Sequence, residues 1–514
     1  MSDHPRTQNL SRLTFFGFFW QYASVFTEAF LRLFVLAILA RLLSPKDFGL
    51  LGMASIFVGL AALSSQLGVG PAIVQRSSLT PNHVRAGFTL SVFTGLVILL
   101  ILWISAPFIA RFFHTDGLAS VVKAVSLSFV FDSLGVVAEA LLRRDLQFKK
   151  LARINIEGLI LGYASIGILL AWLGFGVWAL VGATLGRSLS NSILLLLSQR
   201  HPMKPLLSRR ESRDLLYFGG GFTLARLFNY AAMNGDYTVV GRVLGAEAVG
   251  TYTRAYQLMM LPASYFGQVL NDVLFPVMAK IQNEARRLTR TYLSGVAITG
   301  LVSAPLSVLM VIMAPEIVTV LLGSKWSDTI VPFQILSIGI FSRVSYKMDD
   351  SLARALGAMY RRSVRDAIYA GAVVSGAWIG LHWGLPGAAS GVLCAVILNH
   401  ILAMRMSLGL LRCPWPELLK AQVPGVLLSI VVILVAFPTR SVLYASGVPS
   451  LFILIITTLV SGVSLAGLFL LRPQIVGAFG INALFVLFRS MPEHLSPRIA
   501  SQWLDARMKR AQSG

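Results

Sequence analysis

Fourteen long apolar segments follow one another along this chain, and they constrain its fold more than any other feature. They run over 14–40, 48–73, 87–112, 119–141, 152–173, 176–198, 215–240, 248–279, 291–313, 328–349, 364–383, 386–410, 422–438 and 449–471. Each reaches or approaches the ~20 residues that a helix needs to cross a hydrocarbon core of ~30 Å. Inside lipid every backbone N–H and C=O must be bonded within the protein, which leaves the helix as the form for continuous apolar runs of this length. The segments predict an all-α polytopic membrane protein of about fourteen transmembrane helices. Of the 514 residues, 56% are hydrophobic and 13% charged, against about a quarter charged in a soluble globular chain. That composition leaves no material for a large soluble domain. The first apolar run is too long for a signal-peptide core and precedes no small-residue cleavage site, so it reads as a retained anchor.

Charge sets the orientation. The chain carries 44 Lys and Arg against 22 Asp and Glu, a net +22. The basic residues cluster in short loops between apolar segments, as in LLRRDLQFKKLAR (141–153) and SQRHPMKPLLSRRESR (198–213). This pattern fits topology and anionic lipid, not nucleic acid. With the N-terminus in the cytoplasm, 31 of the 44 fall on the cytoplasmic side, six outside and seven within spans. Both termini are therefore expected in the cytoplasm. Trp172, Trp178, Trp326 and Trp383 fall at predicted outer ends, where amphipathic rings sit at headgroup level. The outer loops are too short to house a catalytic domain. Cys394 and Cys413 form no disulfide framework, and no His or Cys spacing suggests a metal or other cofactor. Beyond residue 472, VGAFGINALFVLF (476–488) is too short to span comfortably and fits either the interface or packing on the bundle.

An internal repeat divides the helices. ARLLSPKDFGLLGMAS (40–55) and GRVLGAEAVGTYTRAY (241–256) align with an offset of 201 residues, pairing Arg41 with Arg242, Leu43 with Leu244 and Gly49 with Gly250. Six helices separate the copies. An even number preserves orientation, so the repeat is parallel, about an axis along the membrane normal. The expected organisation is an N-lobe over 1–200, a basic linker over 201–213, a C-lobe over 214–411, helices thirteen and fourteen over 412–472, and a cytoplasmic or interfacial tail over 473–514. A chance likeness of two tight turns is the alternative.

These residues, with QLGVGPAIVQR (66–76), LLRRDLQFKKLA (141–152) and NGDYTVVGRVLGAEAVGTYTRAYQLMMLPASYFGQVLNDVLFPVMAKIQ (234–282), resemble the polysaccharide transporter branch of the multidrug/oligosaccharidyl-lipid/polysaccharide exporter superfamily, the Wzx-type flippases. The resemblance covers about 10–410. It implies two pseudo-symmetric six-helix lobes around a central cavity in the bacterial inner membrane. It implies transport of undecaprenyl-diphosphate-linked oligosaccharide from the inner to the outer leaflet, for O-antigen, capsule or exopolysaccharide export. Membrane lipids, a glycan polymerase and a chain-length regulator are the implied partners.

Ionisable groups inside spans are costly and usually face a cavity or a partner. Under this resemblance Arg32, Arg226, Arg254, Arg343 and Lys347 are expected to hold the diphosphate, because guanidinium binds phosphate oxygens bidentately and stays charged. Arg187 is a weaker candidate. The competing reading is structural pairing: Glu28 with Arg32, four residues apart, or Lys347 with Asp350. Glu28, Asp132, Asn229, Asn234, Asp236 and Gln257 are expected contacts for sugar or ion. Arg41, Gly49, Arg242 and Gly250 are expected to serve as a gate or turn between lobes. The related peptidoglycan-precursor flippases use arginines in the first, second and eighth helices; here the second has none before Arg76, so their site does not transfer simply. Two other functions compete with this one. A drug or small-cation exporter of the same fold would place carboxylates, not arginines, at mid-membrane. A glycan polymerase, ligase or glycosyltransferase would need a larger outer loop or a soluble domain.

Overall fold

A computed structural model describes residues 27–65, 69–76, 78–206, 208 and 223–471. The side chains at 64–65, 223–229, 231–232, 265–266 and 268–273 lie outside the description. The described residues form helices and no strand. In chain order they are α1 over 27–42, α2 Pro45–Ser65, α3 Val69–Gln75, α4 Pro81–Phe113, α5 Leu118–Ser126, α6 Ser128–Arg144, α7 Phe148–Gly158, α8 Ser165–Trp172 and α9 Val177–Ser198. Then come α10 Thr223–Lys280, α11 Ala285–Ile312, α12 Ala314–Leu321, α13 Ile330–Ile338, α14 Ile340–Ala355, α15 Met359–Gly380, α16 Gly384–Leu411, α17 Trp415–Ala445 and α18 Ser450–Leu471. A π-helical stretch, Leu159–Ala164, joins α7 to α8.

Among the described residues, nine helical segments are long and apolar enough to cross a membrane. Helix α14 falls outside that set. The sixteen residues of α14 include Arg343, Lys347, Asp349, Asp350 and Arg354. The large apolar side chains of α4 that stand outward, Phe93, Leu100, Ile104 and Phe108, are each at least 60% exposed. A soluble protein would bury such a stripe; a lipid-facing helix presents it.

Local chemistry explains where helices break. Ser44 caps α2: its backbone N–H donates to Asp47 Oδ2 at 2.9 Å, and the Asp47 N–H donates to Ser44 Oγ at 3.3 Å. Reciprocal caps of this kind satisfy orphan donors at a helix start. Pro45 follows at the first helical position, where its missing N–H costs nothing. At the matching place in the second repeat copy stands Gly245, with φ +82°, a break inside α10. Glycine enters that left-handed region without steric cost. The two copies thus interrupt the chain at one repeat position by different means. The expected seventh and eighth segments, 215–240 and 248–279, correspond over the described residues to the two halves of α10 on either side of Gly245, with 215–222 outside the description.

The chain packs as two compact units, Met1–Thr253 with Leu321–Trp326, and Arg254–Val320 with Ser327–Gly514. In the first unit, Trp326 departs from its expected place at headgroup level. It is 1% exposed, its indole N–H donates to the Ala40 carbonyl at 2.9 Å, and its ring meets Phe48 edge-on at 5.4 Å. Lys325 donates to the Arg41 carbonyl at 2.7 Å. Both residues satisfy carbonyls at the C-terminal end of α1, which no longer have helical partners. Trp172 and Trp383 are exposed, as expected.

Candidate functional site

In the first unit, α1 and α9 bring two arginines to one carboxylate. Glu28 Oε1 accepts from Arg32 Nη2 at 2.5 Å and from Arg187 Nη2 at 2.8 Å. The i, i+4 spacing puts Glu28 and Arg32 on one helix face. Arg187 arrives from 159 positions away. Asp132, exposed on α6, faces Ser188 and Arg187 of α9. Of the residues singled out from the sequence, the fold gathers Glu28, Arg32, Asp132 and the less favoured Arg187.

The first half of α10 is committed to internal bonds. Asp236 is buried and accepts from the Tyr252 hydroxyl at 3.0 Å and from the Tyr237 N–H at 2.9 Å. The Asn234 amide donates to the Tyr230 carbonyl at 3.0 Å, while the Tyr230 hydroxyl donates to Ile56 of α2 at 2.6 Å. Arg226 and Asn229 have side chains outside the described residues. Arg242 contacts His114, with its guanidinium 5.5 Å from the Phe112 ring. Arg41 lies at the end of α1, its carbonyl accepting from Lys325. Gly49 and Gly250 face each other's backbones.

In the second unit, α14 carries the charge. Arg343 is buried; it donates to the Tyr256 hydroxyl at 2.9 Å, with its guanidinium 4.8 Å from the Tyr256 ring. Lys347 donates to the Ala263 carbonyl at 3.2 Å and lies over Gly267, where any side chain would collide with it. Arg354 stacks 4.9 Å from Phe275. Arg343, Lys347 and Arg354, at spacings of four and seven, thus lie along one face of α14 and meet the second half of α10. Arg254 is half-buried and Gln257 exposed on that same half of α10.

The acids of α14 find other partners. Asp349 is bonded by Tyr292 of α11 at 2.7 Å. Asp350 pairs with Arg365 at 2.6 Å and with Arg362 at 3.3 Å, both on α15. The alternative pairing of Lys347 with Asp350 is therefore replaced by arginines from the next helix. Arg362 and Arg365 are not among the site residues expected from the sequence. Their signal lay in position: Arg365 is the seventh residue of α15 and is 4% exposed. Among the described residues no group of His, Cys, Asp and Glu could hold a metal ion. What the two units offer chemically is guanidinium and ammonium groups within helices, suited to an anion.

Comparison with known proteins gives the same direction. The chain is 25% identical over 375 residues to the teichuronic acid biosynthesis protein TuaB of Bacillus subtilis (strain 168), covering 70% of this chain and 77% of that one. It is 25% identical over 401 residues to the lipopolysaccharide biosynthesis protein WzxC of Escherichia coli (strain K12), covering 77% and 81%. Among solved structures, it resembles the lipid II flippase MurJ in an inward closed conformation, with a TM-score of 0.69 at 15% identity over 88% of this chain and 99% of that one. It also resembles an inward-facing multidrug resistance MATE family transporter of the MOP superfamily, with a TM-score of 0.61 at 19% identity, over 74% and 94%. These likenesses establish the fold. The family model for polysaccharide biosynthesis proteins matches residues 38–331, more than half of the sequence, and the chain belongs to that family.

Proposed function

We propose that the protein is a transporter, not an enzyme, and that it flips undecaprenyl-diphosphate-linked oligosaccharide from the inner to the outer leaflet of the bacterial inner membrane by alternating access. Fourteen crossings, with both termini in the cytoplasm, are part of this reading, as are the repeat-related lobes over 1–200 and 214–411. The observation that carries it is the cationic face of α14. Arg343 and Lys347 stand one turn apart, and their bonds go to a tyrosine hydroxyl and a backbone carbonyl. Charge held inside a membrane helix is expensive and marks a path for a charged cargo. Arg32 and Arg187 on Glu28, together with Arg254 and Arg226, extend that set. In this reading Asp132, Asn229, Asn234 and Gln257 contact sugar or ion, while Asp236, buried and bonded to Tyr252, serves the packing of α10. Arg41, Gly49, Arg242 and Gly250 serve, in the same reading, as the gate between the repeat-related lobes.

The names of relatives support this cargo: they act in teichuronic acid and lipopolysaccharide biosynthesis, and a fold neighbour is a lipid II flippase. A diphosphate headgroup carries about two negative charges. A membrane potential negative inside would drive it outward with about 4–5 kcal/mol per 100 mV. A glycan polymerase and a chain-length regulator are the protein partners this role predicts.

The test is export in a strain deprived of its own flippase. Arg343→Ala and Lys347→Ala are expected to insert normally and to abolish or strongly reduce surface glycan. Wild-type export from both variants would overturn the cationic path. Flipping of a fluorescent lipid-linked oligosaccharide by the purified protein in vesicles tests the activity directly.

A further inference from the structure

The fifth apolar segment, 152–173, is not a plain helix. Between α7 and α8 the residues Leu159–Ala164 wind as a π-helix, a wider turn than the α-helix makes. The Ile160 carbonyl accepts both the backbone N–H and the hydroxyl of Ser165, five positions on, the hydroxyl at 2.9 Å. Turns of this kind are rare and often stand at functional sites.

The wide turn keeps three glycines on one side. Gly158, Gly162 and Gly167 meet Asn191, then Gly186 with Arg187, then Ala183 of α9. Nine residues make about two and a half turns of an unbroken α-helix, so Gly158 and Gly167 would then face opposite ways. The wider turn takes up the difference, and α9 is met at three successive levels. The middle level is backbone against backbone. A Cβ on Gly162 would lie 2.5 Å from both the Cα and the backbone nitrogen of Arg187, and one on Gly186 would lie 2.8 Å from the Gly162 carbonyl oxygen. Tyr163, the next residue of the wide turn, also faces Arg187.

Arg187 is the member of the charged group in the first unit that depends on this packing. Arg32 reaches Glu28 from one turn away on its own helix. Arg187 reaches the same oxygen, Nη2 to Oε1 at 2.8 Å, because α9 stands where it does. A methyl group on Gly162 would meet backbone atoms that cannot turn aside. To regain ordinary contact, α9 has to retreat by about 1 Å at Arg187 itself. A retreat of that size takes the 2.8 Å bond past the ~3.2 Å at which N–H···O bonds end.

We infer that the π-helical turn, with Gly162 at its point of contact, is the positioning element that holds Arg187 on Glu28 and so sets the geometry of the anion-binding group in the first unit. That this group receives a diphosphate rests on the flippase reading above; the positioning of Arg187 does not.

Two measurements keep those claims apart. The first is a set of melting cycles on the full-length protein in detergent. Glu28→Gln and Arg187→Ala, made singly and together, are expected to give melting shifts that do not add, because the two side chains share a bond. In a Gly162→Ala background the same shifts are expected to add. In a Gly167→Ala background, where the new Cβ lies 2.8 Å from the Ala183 methyl group, the non-additivity is expected to persist. Should Gly162→Ala fail to insert, Gly186→Ala opens the same contact from the other side, partly against the flexible end of Ile166, and carries the same expectation. Additive shifts in the wild type would overturn the inference. So would non-additivity that survives in the Gly162→Ala or Gly186→Ala background, or that is lost equally in the Gly167→Ala one.

The second measurement is flipping of a fluorescent undecaprenyl-diphosphate-linked oligosaccharide in vesicles. Gly162→Ala is expected to slow flipping as much as Arg187→Ala does, and to slow the Arg187→Ala protein no further. Gly167→Ala is expected to slow the wild type and the Arg187→Ala protein by one common factor. A full further loss on adding Gly162→Ala to Arg187→Ala would overturn the positioning role in transport. Absence of any wild-type flipping would instead count against the flippase reading, with the melting cycles deciding how Arg187 is held.

Discussion

Gly49 and Gly250 pack backbone against backbone, and they do so reciprocally. A Cβ built on Gly49 would run into the carbonyl of Ala246, and one built on Gly250 into the carbonyl of Pro45. Ala246 is Pro45 shifted by 201 positions, and Gly250 is Gly49 shifted by the same amount. Residue i of one copy meets residue j of the other, and j meets i, as a two-fold relation requires. The offset read from the sequence is therefore also a contact, between the start of α2 and the stretch of α10 that follows Gly245. Only glycine permits two helices to approach so closely.

Gly49→Val or Gly250→Val is expected to destabilise the protein by about 1–3 kcal/mol or more through overpacking. A thermal melt in detergent measures this. Gly409→Ala is the control, because nothing lies within 4 Å of the added Cβ. Equal melting of Gly250→Val and Gly409→Ala would show that the crossing contributes nothing.

Arg187→Ala is expected to reduce export as far as Arg32→Ala does. Both arginines hold Glu28 Oε1, and residues sharing one partner do not act additively. The double variant should therefore lose less than the product of the two single losses. Surface glycan quantified in the three strains gives the answer. Strictly multiplicative losses would mean that the two arginines work apart.

Trp326→Ala removes a wholly buried ring and is expected to cost about 3–5 kcal/mol, whereas Trp326→Phe loses mainly the bond to Ala40, about 1 kcal/mol. A melting series reads the difference. In single-tryptophan versions, lipids brominated near the headgroup should quench Trp172 and Trp383 but leave Trp326 bright. Strong quenching of Trp326 would place it in the interface after all.

Arg440 of α17 reaches back to Glu316 of α12, with Nε 2.9 Å from Oε1; Glu316 is 3% exposed. Arg440→Ala leaves that carboxyl group buried without its cation, an expected loss of about 3–5 kcal/mol. Adding Glu316→Gln should restore most of it. Failure of the double variant to recover, in the same melting assay, would show that the arginine acts by packing alone.

The sequence by itself determined that the chain is a helical membrane protein, and it displayed the 201-residue offset between the two matching stretches. Hydropathy is summed locally over about twenty residues, and a bilayer punishes any broken backbone bond. The pairing of Glu28 with Arg32 was legible for the same reason, since four residues make one helical turn. Tertiary structure alone decided where the other charges go. Nothing in the neighbourhood of Arg187 announces Glu28, nothing near Asp350 announces Arg365, and the setting of Trp326 resembles that of any outer-loop tryptophan. Those choices depend on which helix faces pack together, and packing joins residues that local periodicity cannot relate. Buried charges take the partner that satisfies them best across the whole unit, so Lys347, three residues from Asp350, lost it to an arginine on another helix.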